Sequence, residues 1–255
     1  MKLGYSTIVF GNNPNIEECV NNSLFLDKIF FETTPYHLIN FPKKSPLRQK
    51  FVERALWLQG VFFGSEVRNF NEDKSSIKKG ISLIKSHANL SKFLNGMTIG
   101  APMLRMPKGG SIDGFTKFLH NLDELSEEID MKFALEPTNI KGDFLNSHHQ
   151  TINYLEANQF KNIGLQFDMG VAIETEESIE SIFDFERCYH FHVANPSHTS
   201  IPEKKVLEKY LQLAFHFNLD FLSIEILPME TGESIEVIIQ EMEEYIDVVN
   251  SCIGR

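Results

Sequence analysis

A single (β/α)8 barrel, a TIM barrel of class α/β with residues 1–255 as one domain, is the fold this sequence predicts. Three observations carry it. Eight short apolar runs rich in Phe, Ile, Val and Leu recur along the chain, their starts 25, 33, 37, 35, 31, 26 and 32 residues apart. Shared among eight runs, the chain allots about 32 residues to each, the size of one strand plus one helix in such a barrel. Between the runs lie segments with helical periodicity. No Pro/Gly/Ser linker, charge block or low-complexity stretch divides the chain. A doubly wound open sheet, the alternative, usually carries a Gly-rich phosphate turn after an early strand, and none is present.

In order, Lys2–Ile8 and Asp27–Thr33 read as the first two strands, and Ser45-Pro46 as an N-cap followed by Pro at the first helical position. Gly60–Ser65, Met97–Met103, Lys132–Thr138, Ile163–Gly170 and Tyr189–Asn195 follow as strands three to seven. Leu207, Tyr210, Leu211, Ala214 and Phe217 then mark one face of a helix, and Phe221–Leu227 is the eighth strand. In the last helix, Ile235, Ile238, Ile239, Met242, Tyr245, Ile246 and Val249 form an apolar stripe opposite Glu236, Glu243, Glu244 and Asp247.

The composition is that of a globular protein, with 42% hydrophobic and 23% charged residues. With 24 Lys and Arg against 35 Asp and Glu, the net charge of −11 argues against nucleic acid as a partner, because phosphate backbones are bound through cations. The amino-terminal segment is too short and too polar for a signal peptide or a membrane span, so no membrane partner and a cytoplasmic setting are expected. Cys19, Cys188 and Cys252 are far apart and in no CxxC pairing, which suggests buried free thiols rather than a disulfide framework or zinc cage. Barrels of this class often pair, so a homo-oligomer is compatible with the chain.

Chemistry in such a barrel is built where the carboxyl ends of the strands meet. Strand five places Glu136 there, strand six Asp168, strand seven His192 and strand eight Glu225. Their spacings of 32, 24 and 33 residues are about one βα unit each, which sets the four at similar height around half of the mouth. Three carboxylates and one imidazole are costly to gather without a cation. A divalent metal is the usual solution; the oxygen-rich donors favour Mn²⁺ or Mg²⁺, with Zn²⁺ or Co²⁺ also acceptable. His37, His87, His120, His148, His149 and His216 have no partner at useful spacing and are read as solvated or structural.

Several segments resemble motifs of the xylose isomerase-like barrel superfamily, and more narrowly of its sugar phosphate isomerase/epimerase proteins. Phe31-Glu-Thr-Thr-Pro-Tyr is similar to a strand-two Glu-x-x-Pro signature, Leu58-Gln-Gly-Val-Phe-Phe-Gly to a Gln-x-x-x-x-Gly segment, and Gly100-Ala-Pro-Met-Leu-Arg to a Gly-Ser-Pro-x-x-Arg turn. Leu135-Glu-Pro, Phe167-Asp-Met-Gly, Phe191-His-Val and Ser223-Ile-Glu are similar to the four metal-ligand motifs. The order of the motifs spans nearly the whole chain.

The resemblance implies a divalent metal held by Glu136, Asp168, His192 and Glu225, with Glu136 and Glu225 also moving protons on a small sugar or sugar phosphate. Isomerisation or epimerisation through a cis-enediolate would follow. Arg105 is the candidate clamp for a phosphate or carboxylate. His190 is a candidate for supporting the metal or touching substrate, and Gln59 and Glu32 for bonding sugar hydroxyls. His198, six residues beyond the metal histidine, is read as a further substrate contact where related epimerases often carry Arg. Val171 stands where many members have a histidine three residues past the metal aspartate. These two departures keep open a lyase of the same superfamily, which would dehydrate a polyol or keto acid, and a non-catalytic carbohydrate-binding barrel.

Overall fold

The computed structural model describes residues 1–11, 15–21, 29–59, 74–90, 92–100, 112–138, 144–227 and 234–254. Eight parallel strands close on themselves in chain order: β1 Lys2–Ser6, β2 Phe30–Thr33, β3 Ala55–Leu58, β4 Gly96–Gly100, β5 Lys132–Glu136, β6 Ile163–Asp168, β7 Cys188–Val193 and β8 Phe221–Ile224. The closing seam pairs Lys2 with Phe221 and Tyr5 with Ile224. The described helices are α1 Ile16–Asn21, α2 Pro35–Asn40, α3 Leu47–Arg54, α4 Lys74–Ala88, α5 Ile112–Ile129, α6 His148–Ala157, α7 Met169–Glu174, α8 Glu180–Phe183, α9 Lys204–His216 and α10 Ile235–Cys252. None is long and apolar enough to cross a membrane.

The barrel confirms the fold class and corrects one strand. β3 is Ala55–Leu58, not Gly60–Ser65, and residues 60–65 lie outside the described residues. Its four apolar residues follow α3 with no turn residue between them, so in sequence they read as the tail of that helix. Sheet pairing overrides the local pattern, with Phe31 beside Ala55 and Thr33 beside Leu58. The expected first strand also stops early: Ser6 caps a 3₁₀ turn over Thr7–Phe10, its hydroxyl accepting the Ile8 N–H. Ser45 lies one residue further out than expected. Its hydroxyl accepts the Leu47 N–H at 3.0 Å, and Pro46 takes the cap position before α3.

Outward side chains of the strands and the apolar faces of the helices form one large core that includes Phe31, Phe133, Phe167, Phe191, Leu211 and Ile246. Trp57, Leu56, Ala134 and Phe221 form a second, smaller cluster, packed by Phe30 and Tyr189. Gly96 makes room for it: a Cβ at that position would stand 2.2 Å from the Trp57 ring. Above this aromatic floor the barrel interior is polar, with Ser6, Glu32, Gln59, Thr98, Gln166, Asp168, His190, His192, Ser223 and Glu225 all buried. Barrel interiors are usually filled by branched aliphatic residues. A buried polar filling is stable when its members bond one another, and here most of them do, Glu32 Oε1 and His190 Nδ1 excepted.

Candidate functional site

Glu136, Asp168, His192 and Glu225 come together at the carboxyl ends of β5 to β8. One ligand atom from each lies within 4.8 Å of all the others, a grouping that can hold a metal ion. His192 is the centre of the arrangement. Its Nδ1 is 3.1 Å from Glu136 Oε1, 3.1 Å from Glu225 Oε2 and 3.5 Å from Asp168 Oδ2. Glu136 is the most open of the four, its side chain 19% exposed.

Each ligand-type side chain is fixed by a neighbour. Asp168 caps α7, its Oδ1 accepting the Val171 N–H at 2.8 Å, so Oδ2 is left to face the site. The same turn explains position 171: its backbone serves Asp168, and the valine side chain is buried. Gln59 donates its amide to Glu225 Oε1 and accepts from the Ser6 hydroxyl. Gln166 donates to Glu136 Oε1 at 2.6 Å and lies 3.0 Å from His192 Nδ1. The orientation of that amide is set from below, because Thr98 donates to Gln166 Oε1 and itself accepts the Trp57 indole N–H at 2.8 Å.

Beneath the four lies Glu32, fully buried on β2. Its Oε2 accepts from His192 Nε2 at 2.7 Å and from the Ser223 hydroxyl at 2.7 Å. His190 is deeper still. It stacks on Trp57 with ring centroids 4.4 Å apart and stands 3.2 Å from Ser223 Oγ. Of the expected substrate contacts, Glu32, His190 and Gln59 therefore sit within or under the polar interior, while His198 stands on its open side. His198 Nε2 is 3.1 Å from Asp168 Oδ2 and 3.4 Å from Glu225 Oε2. Arg105 lies outside the described residues.

The electrostatics follow from packing acids around one imidazole. Burial pushes Glu136 up to about 7, with the Glu225 and Asp168 carboxylates adding to the rise and the His192 hydrogen bond opposing it. Burial would also raise Asp168, yet hydrogen bonds from His192 and His198 hold it far below the usual carboxylate range. Burial disfavours charge on His198, but the Asp168 hydrogen bond and the surrounding carboxylates lift it to about 9. His192 is likewise raised well above its ordinary value, against burial, by Glu225 and Glu32.

A divalent cation fits this donor set. Three carboxylates offer hard oxygens, and the imidazole presents Nδ1 to them because Nε2 is engaged by Glu32. Neighbouring donors about 3.0–3.4 Å apart are what one ion with ligands at about 2.1 Å imposes. The two 3.1 Å contacts and the 3.5 Å contact of Nδ1 are close to that range.

Residue types and strand periodicity point to the four, but several supporting groups have a weaker signal. Gln166 and Ser223 lie two residues before Asp168 and Glu225 on the same inward faces, so the period of a strand could have found them. His148 could not be found in this way. It reaches Asp168 from α6, with no spacing that marks it.

Fold and site thus define a closed eight-stranded parallel barrel with an acid-and-histidine cluster at its mouth. Solved structures share the fold. A structure of IolI protein with a bound zinc atom superposes with a TM-score of 0.76 at 16% identity, covering all of both chains. L-ribulose 3-epimerase gives a TM-score of 0.74 at 13% identity, over 100% of this chain and 96% of the other. D-psicose 3-epimerase, in a structure with D-fructose, gives 0.72 at 14% identity, over 100% and 97%. No family model matches the chain, and no curated protein matches it in sequence. At these identities the likeness shows the fold.

Proposed function

We propose that the protein is a divalent-metal-dependent isomerase or epimerase of a small sugar or sugar phosphate, with the metal held by Glu136, Asp168, His192 and Glu225. The observation that carries this reading is the convergence of three carboxylates on His192 Nδ1. The zinc in the IolI structure and the sugar substrates in the epimerase names support it. The same reading takes the chain as one cytoplasmic barrel domain that binds neither nucleic acid nor membrane, in keeping with its negative charge and with free Cys19 and Cys188 in the interior.

Held there, a divalent cation would polarise a substrate carbonyl and its neighbouring hydroxyl, acidifying the hydrogen on the carbon between. Glu136 and Glu225 then divide the proton work. One carboxylate removes the carbon-bound proton, and the same or the other returns it to the resulting cis-enediolate; where it returns decides between isomer and epimer. Gln166 and Gln59 keep the two carboxylates aimed. His198, on the open side beside Asp168, is the proposed contact for a substrate oxygen. Arg105 remains the proposed clamp for an anionic group: Arg105→Ala should raise KM about ten- to a hundredfold for a phosphorylated sugar and little for its neutral analogue.

Elemental analysis of the parent and of Glu136→Gln, Asp168→Asn, His192→Ala and Glu225→Gln tests the ligands. Deuterium incorporation into D-fructose, D-psicose and L-ribulose in heavy water, with and without Mn²⁺, Mg²⁺, Zn²⁺ or Co²⁺, tests the chemistry. We expect sharply reduced metal in each variant and metal-dependent exchange in the parent. Product masses separate isomerisation from dehydration. Full metal occupancy in all four folded variants removes the ligand assignment. Exchange at the parent rate in metal-loaded Glu136→Gln and Glu225→Gln removes the proton shuttle.

A further inference from the structure

We propose that Glu32 is a positioning residue that makes His192 a metal ligand, its carboxylate accepting a hydrogen bond from Nε2–H so that the Nδ1 lone pair faces Glu136, Asp168 and Glu225. The inference rests on the metal-centre reading above. It assigns the orientation of the imidazole to a residue on β2, across the barrel interior from β7.

A neutral imidazole has one N–H and one lone pair, and which nitrogen carries the proton is set by the partners of both. A carboxylate only accepts. Without an ion both nitrogens face carboxylates; once an ion sits among Glu136, Asp168 and Glu225, Glu32 Oε2 at 2.7 Å from Nε2 keeps the one remaining proton on Nε2 and leaves the lone pair on Nδ1. Ser223 reinforces this, since its single hydroxyl proton goes to the same Oε2, fixing the carboxylate under the ring. Metal-binding histidines are commonly held in this way, by a carboxylate on the nitrogen away from the ion.

Glu32 is hard to explain as a contributor to the fold. It has no exposed surface, and its Oε1 has no hydrogen-bond partner among the described residues; His190 Nε2 stands 3.5 Å from it. A buried carboxylate with an unsatisfied oxygen costs stability relative to an apolar side chain of similar size. Its effect on His192 accounts for its presence.

The donors of Glu32, His190 and His192 also lie within 4.8 Å of one another, the grouping expected of a second, deeper ion. Two details favour the hydrogen bond. The 2.7 Å separation of Glu32 Oε2 from His192 Nε2 is shorter than the about 3.0 Å between adjacent ligands on one ion. The same oxygen also takes the Ser223 proton.

The experiment measures Zn²⁺ affinity, by competition with a chromophoric chelator, for the full chain and for Glu32→Gln and Glu32→Leu. It is joined to long-range ¹H–¹⁵N spectra of histidine-labelled, zinc-loaded protein. In the parent, His192 should carry zinc on Nδ1 and hydrogen on Nε2. Glu32→Gln keeps an acceptor without the charge and should weaken binding about tenfold with the same ring assignment; Glu32→Leu should weaken it about a hundredfold and mix the two assignments. Should the leucine variant not fold, the glutamine variant decides. Parent affinity and unchanged His192 signals in the folded variants overturn the proposal. So does a parent that binds two zinc ions and loses one in Glu32→Gln, because Glu32 would then be a ligand. Failure of the metal-centre reading is distinguishable: the parent binds no zinc, or His192→Ala binds it as tightly, and both proposals fall together.

Discussion

His148 holds Asp168 by its backbone. The imidazole Nε2 accepts the Asp168 N–H at 2.9 Å, and Nδ1 donates to Glu177 Oε2 at 2.6 Å. A residue at the start of α6 thereby pins the end of β6, the point from which Asp168 enters the site. Glu177 completes the unit by accepting the backbone N–H groups of His148 and His149, which are otherwise unpaired at the first turn of α6.

Replacing His148 with alanine leaves a buried Asp168 N–H without an acceptor and opens space beside Phe167, on which the imidazole stacks with ring centroids 4.5 Å apart. The expected cost is about 1–3 kcal/mol. Denaturant unfolding followed by circular dichroism measures it, and a midpoint equal to the parent's would show that the backbone contact is dispensable.

The same unit predicts a pH dependence. Burial would raise the Glu177 carboxyl, but hydrogen bonding and attraction from His148, with the backbone N–H groups of residues 148 and 149, bring it down to about 2 from an ordinary 4.5. Because the folded value lies below the unfolded one, the unfolded chain takes up the proton first as the pH falls. Stability from Glu177 is therefore whole above about pH 5 and is lost progressively toward pH 2. Glu177→Gln should be less stable than the parent at pH 6, with the gap closing below pH 4. A gap that stays constant from pH 6 to pH 3 contradicts the assignment.

Gly96→Ala tests the aromatic floor. The new methyl group would overlap the Trp57 ring and stand 2.8 Å from the Lys132 carbonyl oxygen, so ring or strand must shift. Overpacking of this kind costs about 1–3 kcal/mol. A thermal scan should show a lowered Tm, and Gly96→Ala with Trp57→Phe should recover part of the loss. Equal Tm values for parent and single variant would mean that the floor has slack.

Gln166→Leu removes the donor that aims Glu136 and leaves the Thr98 hydroxyl without its acceptor. Divalent-metal affinity should fall about 10–100-fold, the usual effect of losing a group that orients a ligand. Calorimetric titration with Zn²⁺ or Mn²⁺ reads it; parent affinity in a folded variant would detach Gln166 from the site.

The sequence by itself determined the barrel and the four residues at its mouth. Both are periodic signals: apolar runs about 32 residues apart specify a strand and helix each, and Glu136, Asp168, His192 and Glu225 follow one another at 32, 24 and 33 residues on successive strand ends. It misplaced β3, because Ala55–Leu58 is apolar without interruption and only pairing with Phe31 and Thr33 distinguishes it from the end of α3. The polar support was decided by tertiary structure alone. Glu32 meets His192 across 160 residues, Gln59 meets Glu225 across 166, and Thr98 meets Gln166 across 68. Closing the sheet turns the inward faces of distant strands toward one another, and no pattern along the chain records which atoms then meet. A polar residue on an inward face is visible in sequence; whether it touches substrate at the mouth or a neighbour beneath it depends on its height in the barrel, which strand register sets.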